Sequence, residues 1–200
     1  DNPSLIVVEA SKNADLIKSE SADPHDEHDD HGEYEPHIWL SLTGAKSEAL
    51  AIKDALIEAD PSNKAFYEQH YTDFATALDT LHETYKAKFD ALERKNFVSG
   101  HAAFAYLCNE FGLEQNSVED VFAEGQPSAQ QLAELVDYCR ENDVSTIFAE
   151  ELASPEVSNT LANEVGAKVD TIYTIESNED DKTYLERMRE NLEKIYESLK

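Results

Sequence analysis

Apolar residues recur at three- and four-residue spacing through the first half of the chain, then give way to short β-rich runs separated by further helical stretches. From Thr43 onward, Ala45, Ala49, Ile52 and Leu56 fall on one helical face, up to the Asp60-Pro61 step where proline ends the helix. A second helix begins near Ser62 and runs to about Glu93. Its stripe of Tyr67, Tyr71, Phe74, Leu78, Leu81, Tyr85 and Leu92 predicts one long buried face. After it the period changes: residues 96–99, 118–123, 144–149 and 169–173 read as strands alternating with helices of ten or more residues. This is the pattern of βαβ units and predicts an α/β fold with a four-stranded parallel sheet flanked by helices.

The boundaries agree with that reading. Ser128-x-x-Gln131 fits a capping box, Ser154-Pro155 fits an N-cap followed by proline at the first helical position, and Gly112 and Gly166 stand where helices should stop. The last helix carries Tyr184, Met188, Leu192, Ile195 and Leu199 on one stripe. At the other end, the short apolar run from Leu5 to Val8 looks like a strand with no neighbouring strand close in sequence. Residues 19–35 are polar, acidic and histidine-bearing, without apolar periodicity, and read as a mobile loop.

At 200 residues and 40% hydrophobic, the chain can bury one substantial core, or one core plus an attached segment. A formal net charge of −27 argues against nucleic acids and anionic membranes and makes a cation the natural guest. No apolar run approaches the roughly 18 residues of a membrane span, and the N-terminus has neither a basic stretch nor an apolar signal region, so the expectation is a soluble, processed or trimmed chain. Cys108 and Cys139 sit on separate apolar helical stripes, which favours buried free thiols over a single disulfide.

Four of the seven histidines, His25, His28, His31 and His37, lie just before Trp39. The first three have no regular element to fix them, so they form at most a weak, exchangeable metal site; the alternative is a solvated charge run. His37 stands where the polar loop meets apolar anchors, which can hold it rigidly, although alone it would read as a packed structural residue. In an open parallel sheet, ligands bind beyond the carboxyl ends of the strands. His101, Glu124 and Glu150 each follow a strand, and Glu176 lies three residues past the fourth run, so one imidazole and three carboxylates are expected on one rim. His101 is expected to open a helix, whose positive end would favour the neutral ring a metal needs; a histidine merely bonded to a neighbour is the alternative. For each glutamate by itself, simple solvation is the favoured reading, since carboxylates near strand ends are often just solvated. His70 and His82 lie off the stripe of the long helix and are expected to be exposed. There is no phosphate loop, no G-x-S-x-G elbow, no H-E-x-x-H and no visible nucleophile, so no enzyme is expected.

Several segments, in order, resemble one family: Glu35-Pro36-His37-Ile38-Trp39-Leu40, Asp60-Pro61-Ser62-Asn63, Ser99-Gly100-His101-Ala102-Ala103-Phe104-Ala105-Tyr106, Glu124-Gly125-Gln126-Pro127-Ser128, Thr174-Ile175-Glu176-Ser177 and the helix from Tyr184 to Leu192. They are similar to the metal-binding solute receptors of zinc and manganese ABC importers, the ZnuA/AdcA-like receptors of TroA-like fold. The resemblance implies two α/β lobes joined by one long helix with metal between them, and it maps metal ligands onto His37, His101 and Glu176. It also implies a first ligand histidine in an N-terminal lobe that would precede Asp1. The chain is accordingly divided into 1–22, a remnant of that lobe; 23–36, the His-rich acidic loop; 37–61, the ligand segment and its helix; 62–95, the connecting helix; and 96–200, the C-terminal lobe.

In the manganese members the third position tends to be a carboxylate, whereas zinc members carry histidine there and a His-rich loop before the second ligand. Imidazole suits zinc, so the resemblance implies Zn2+, with Mn2+ as the alternative. It implies an extracytoplasmic receptor, periplasmic or lipid-anchored, partnered by an ABC permease and expected to be monomeric. An extracellular metal-buffering or adhesin-like surface protein is the other reading.

Overall fold

The computed structural model describes residues 5–19, 33–119, 128–151, 155–177 and 180–200. The His25, His28, His31 trio, Glu124 and the Gly125-Gln126-Pro127 part of the family motif lie outside them.

Strands β1 (Asn96–His101), β2 (Glu114–Glu119), β3 (Thr146–Glu150) and β4 (Lys168–Ile172) form one parallel sheet in the order β2-β1-β3-β4. Helices α1 (Leu42–Ala59) and α2 (Lys64–Asp90) precede it; α3 (Ala105–Phe111), α4 (Ala129–Glu141), α5 (Glu156–Val165) and α6 (Tyr184–Ser198) follow in turn.

The strands alternate their side chains between two cores. On one face Phe97, Phe148 and Ile172 pack with Leu78, Leu81, Tyr85 and Phe89 of α2, Leu107 and Phe111 of α3, and Met188, Leu192 and Ile195 of α6. On the other, Val98 and Ile147 meet Leu135 and Cys139 of α4 and Leu161 and Ala162 of α5. A parallel sheet covered on both faces needs this apolar run in its central strands, and Phe97, Val98, Ile147 and Phe148 supply it at 0–1% exposure. Cys108 and Cys139 are both buried and free, one in each core, and burial pushes the Cys139 thiol up to about 11.

The caps account for most helix boundaries. Ser128 and Thr183 each complete a capping box, and Gly112 and Gly166 close α3 and α5 at φ +65° and +74°, a backbone region that glycine enters without cost. The start of α1 is capped twice: Ser41 accepts from the amide of Gly44, and the Glu110 carboxylate accepts from those of Leu42 (2.8 Å) and Thr43 (3.0 Å).

Several expectations are corrected. Leu5 to Val8 is not a strand; these residues are 37–83% exposed, and among the described residues no strand pairs with them. Ile52 and Leu56 are 47% and 43% exposed, so α1 buries only Leu42, Gly44, Ala45 and Ala51. The long helix starts at Lys64 after a 3-10 turn, Pro61–Asn63, and its first buried residue is Ala75. The second strand begins at Glu114 rather than Val118; Glu114, Gln115, Asn116 and Ser117 are polar, and the sheet edge tolerates them because β1 pairs with their backbone rather than their side chains. Pro155 is the N-cap of α5 rather than its first residue. His82 is half-buried, its ring against Phe111 and its Nε2 3.9 Å from Glu110, whereas His70 is exposed.

Candidate metal centre

Chain order reverses between β1 and β3: β1 connects to β2 on one side, and the chain then crosses to place β3 on the other. The crevice at such a switch point opens beyond the carboxyl ends of the two strands. His101 is the last residue of β1 and Glu150 the last of β3. His101 therefore does not open a helix, since α3 begins only at Ala105. Its backbone is fixed instead: its carbonyl accepts from Ser99 Oγ at 2.7 Å and from Gln115 Nε2 at 2.8 Å, and its amide donates to Glu150 Oε1 at 2.9 Å.

Glu150 thus holds the His101 main chain and is not a rim carboxylate. Burial raises its carboxyl above the ordinary range, while the amides of His101 and Gly100 pull it back. The same packing explains Gly100, where an added Cβ would stand 2.2 Å from Glu150 Oε2. Gly100→Ala is expected to displace Glu150, break its hydrogen bond from the His101 amide and cost about 1–3 kcal/mol, as overpacking does; thermal unfolding of the metal-free protein checks this, and an unchanged midpoint counts against it.

His37 reaches the same crevice from the turn before α1. Its ring is buried at 6% exposure, and its Nε2 faces His101 Nε2 at 3.3 Å. On the far side of the ring, Nδ1 hydrogen-bonds the carboxylate of Glu35, which also accepts from the His37 amide at 3.2 Å. A carboxylate only accepts, so Nδ1 donates to it, and Nε2 is the ring nitrogen left facing the crevice. Glu35 is itself 2% exposed; its backbone is tied by the Tyr106 hydroxyl and by Ile17, and its Oε2 has no hydrogen-bond partner among the described residues. Sequence reasoning missed Glu35 as the residue that orients His37, although its place two residues before the histidine, across a proline, was visible.

Glu176 lies beyond β4, its Oε1 4.0 Å from His37 Nε2 and its side chain 47% exposed. Trp39 connects the two segments: its indole N–H donates to the Thr174 carbonyl at 2.8 Å, and the Tyr184 hydroxyl donates to the Trp39 carbonyl at 2.7 Å. The fold thus gathers His37, His101 and Glu176 at one rim. Two nitrogens each about 2.05 Å from a tetrahedral zinc lie roughly 3.3 Å apart, which is the separation of the two Nε2 atoms. The carboxylate stands somewhat farther out, and among the described residues no group of three His, Cys, Asp or Glu is already closed into a metal-holding set.

A sequence model of the family described as the periplasmic zinc-uptake complex component A matches residues 1–198. The high-affinity zinc uptake system protein ZnuA of Bacillus subtilis is 38% identical over 204 aligned positions, covering 97% of this chain and 64% of that protein. The chain spans about half to two thirds of the length of the first curated relatives it matches. Among solved structures, a mutant of the laminin-binding adhesin Lmb of Streptococcus agalactiae superposes with a TM-score of 0.87 at 36% identity, covering 96% of this chain and 70% of that one. A Zn(II)-bound mutant of AdcAII of Streptococcus pneumoniae superposes with a TM-score of 0.85 at 34% identity, with coverage of 96% and 70%.

Proposed function

The chain belongs to the family of periplasmic zinc-uptake components A, and from that premise we propose that it captures Zn2+ outside the cell and delivers it to the membrane permease of an ABC importer. The observation that carries the reading is the pair of imidazole Nε2 atoms facing each other at 3.3 Å, one of them oriented by a buried carboxylate. Two imidazole nitrogens at that spacing suit a borderline cation, and a carboxylate-to-imidazole contact behind a ligand is how proteins orient a metal-binding histidine.

His37 and His101 supply the nitrogens and Glu176 the carboxylate. A four-coordinate zinc held by these three would take its fourth ligand from elsewhere. This donor set favours Zn2+ over Mn2+, which prefers oxygen ligands. Once that fourth ligand is in place the coordination shell is closed, which suits capture and release rather than reaction; the family is a zinc-uptake component. At a net charge of −27 the partner is a cation and a permease rather than nucleic acid, and the receptor acts as a monomer in the periplasm or lipid-anchored at the outer face of the membrane. Among the described residues no helix is long and apolar enough to cross a membrane.

Calorimetric titration with zinc and with manganese, on the chain and on its His37→Ala and His101→Ala variants, tests the reading; equal affinity for both metals, or variants that bind like the parent, would overturn it. The acidic segment that carries His25, His28 and His31 is proposed to gather zinc weakly and raise its local concentration near His37. Deleting residues 23–32 is expected to slow zinc uptake at scarce metal while leaving the affinity of the main site nearly unchanged. An unaltered uptake rate in cells counts against that role.

The adhesin-like or metal-buffering surface protein remains the second reading, because a laminin-binding adhesin is among the similar structures. Adjacent permease and ATPase genes favour the importer.

A further inference from the structure

The carboxylate proposed as a ligand, Glu176, follows a residue in an unusual backbone state. Ile175 has φ +57°, a region that a β-branched side chain enters only under constraint. Four hydrogen bonds hold this turn. Glu151, the residue after β3, accepts from the Thr174 amide with Oε2 at 3.0 Å and from the Ile175 amide with Oε1 at 3.2 Å, and its Oε1 also receives the Thr174 hydroxyl at 3.4 Å. The Thr174 carbonyl is taken by the Trp39 indole. Both polar groups flanking this turn are therefore occupied, one from the switch point of the sheet and one from the segment that bears His37.

Side-chain packing does not aim Glu176. It borders a cavity of about 340 Å³ whose lining includes Glu151, Ile175, Ser177 and Arg187, and nearly half of its side chain is in solvent. Its direction is therefore inherited from the backbone of Ile175. Farther along, the chain is anchored again by the Arg187–Asp180 and Lys182–Glu190 ion pairs.

We propose that Glu151 is a positioning residue for zinc capture: by chelating two successive amides it holds Ile175 in the left-handed conformation that turns Glu176 toward His37. This rests on the zinc-receptor reading above and adds to it a residue that touches no metal. A carboxylate is suited to the task, because its two oxygens can each take one of two neighbouring N–H groups and its charge strengthens both bonds.

The test is a double-mutant cycle in the intact protein, with zinc affinity measured by competition against a chelating dye, the absorption spectrum of the Co2+-loaded protein as a report on coordination, and thermal unfolding of the metal-free form. Glu151→Gln keeps the shape but loses one acceptor and the charge; it is expected to weaken zinc binding roughly 10-fold, the lower end of the range for groups that orient a ligand, and to alter the Co2+ spectrum. Glycine enters the left-handed region without cost, so in an Ile175→Gly background the same substitution is expected to cost less than threefold. A merely structural role for Glu151 would lower stability in both backgrounds and give the same loss of affinity in each.

No loss with Glu151→Gln alone, or a loss in the Ile175→Gly background as large as in the parent, overturns the proposal. His37→Ala in the same assay separates the two levels: if it leaves zinc affinity unchanged the receptor reading itself fails, whereas if it weakens binding and Glu151→Gln does not, only the positioning role is lost.

Discussion

His101→Ala is expected to weaken zinc binding about 100-fold while leaving the metal-free protein close to its parent stability. A structural zinc site is worth roughly 10 to 16 kcal/mol over four ligands, so one ligand carries about 3 kcal/mol, or two powers of ten in Kd. His101 is held by its backbone, through Ser99, Gln115 and Glu150, and those bonds survive loss of the ring.

His37→Ala is expected to match the loss of affinity but to differ in stability. Removing its imidazole strands the buried Glu35 carboxylate without its Nδ1 partner, at a cost of about 1–3 kcal/mol. Chelator competition gives the first quantity and denaturant unfolding of the metal-free proteins the second. Equal affinities for parent and variants remove the site; equal stabilities for the two variants remove the orienting role of Glu35.

The second large effect concerns the frame beneath the site. Phe148 is fully buried on β3, two residues before Glu150, with its ring 6.2 Å from that of Phe97, in the core that joins the sheet to α2, α3 and α6. Phe148→Ala is expected to cost about 3–5 kcal/mol, the lost transfer energy of the ring plus the cavity it leaves. For a domain of this size the melting midpoint should fall by on the order of 10 °C. Ile147→Val, one residue earlier and facing the opposite core, removes a single methylene and should cost about 1 kcal/mol. Thermal unfolding of both checks these values: a loss from Phe148→Ala no larger than that from Ile147→Val would mean that the ring does not fill the core as described.

Relay residues were much less legible than ligands. His37, His101 and Glu176 stand out as residue types at loop and strand ends. Glu35, Glu150 and Glu151 are three glutamates among 43 acidic residues, and nothing local distinguishes a carboxylate that orients an imidazole from one that is solvated. Glu150 was expected at the rim beside His101, yet it turns to the His101 amide because the absent side chain of Gly100 leaves room there.

The strands divide in the same way. β1, β3 and β4 announce themselves by apolar β-branched and aromatic runs, whereas β2 starts with four polar residues and owes its existence to the free edge of β1. Leu5 to Val8 has the strand composition but pairs with no strand among the described residues.

By itself, then, the order of residues determined the helices, their caps, the alternation of strands and helices and the donor types, because these depend on periodicity and on neighbours within a few positions. Only the tertiary structure decided that His37 and His101, 64 residues apart, meet at tetrahedral spacing. It also decided that Glu151 grips the turn before Glu176, since hydrogen-bond geometry between distant segments is set by how the sheet stacks and where its chain order reverses.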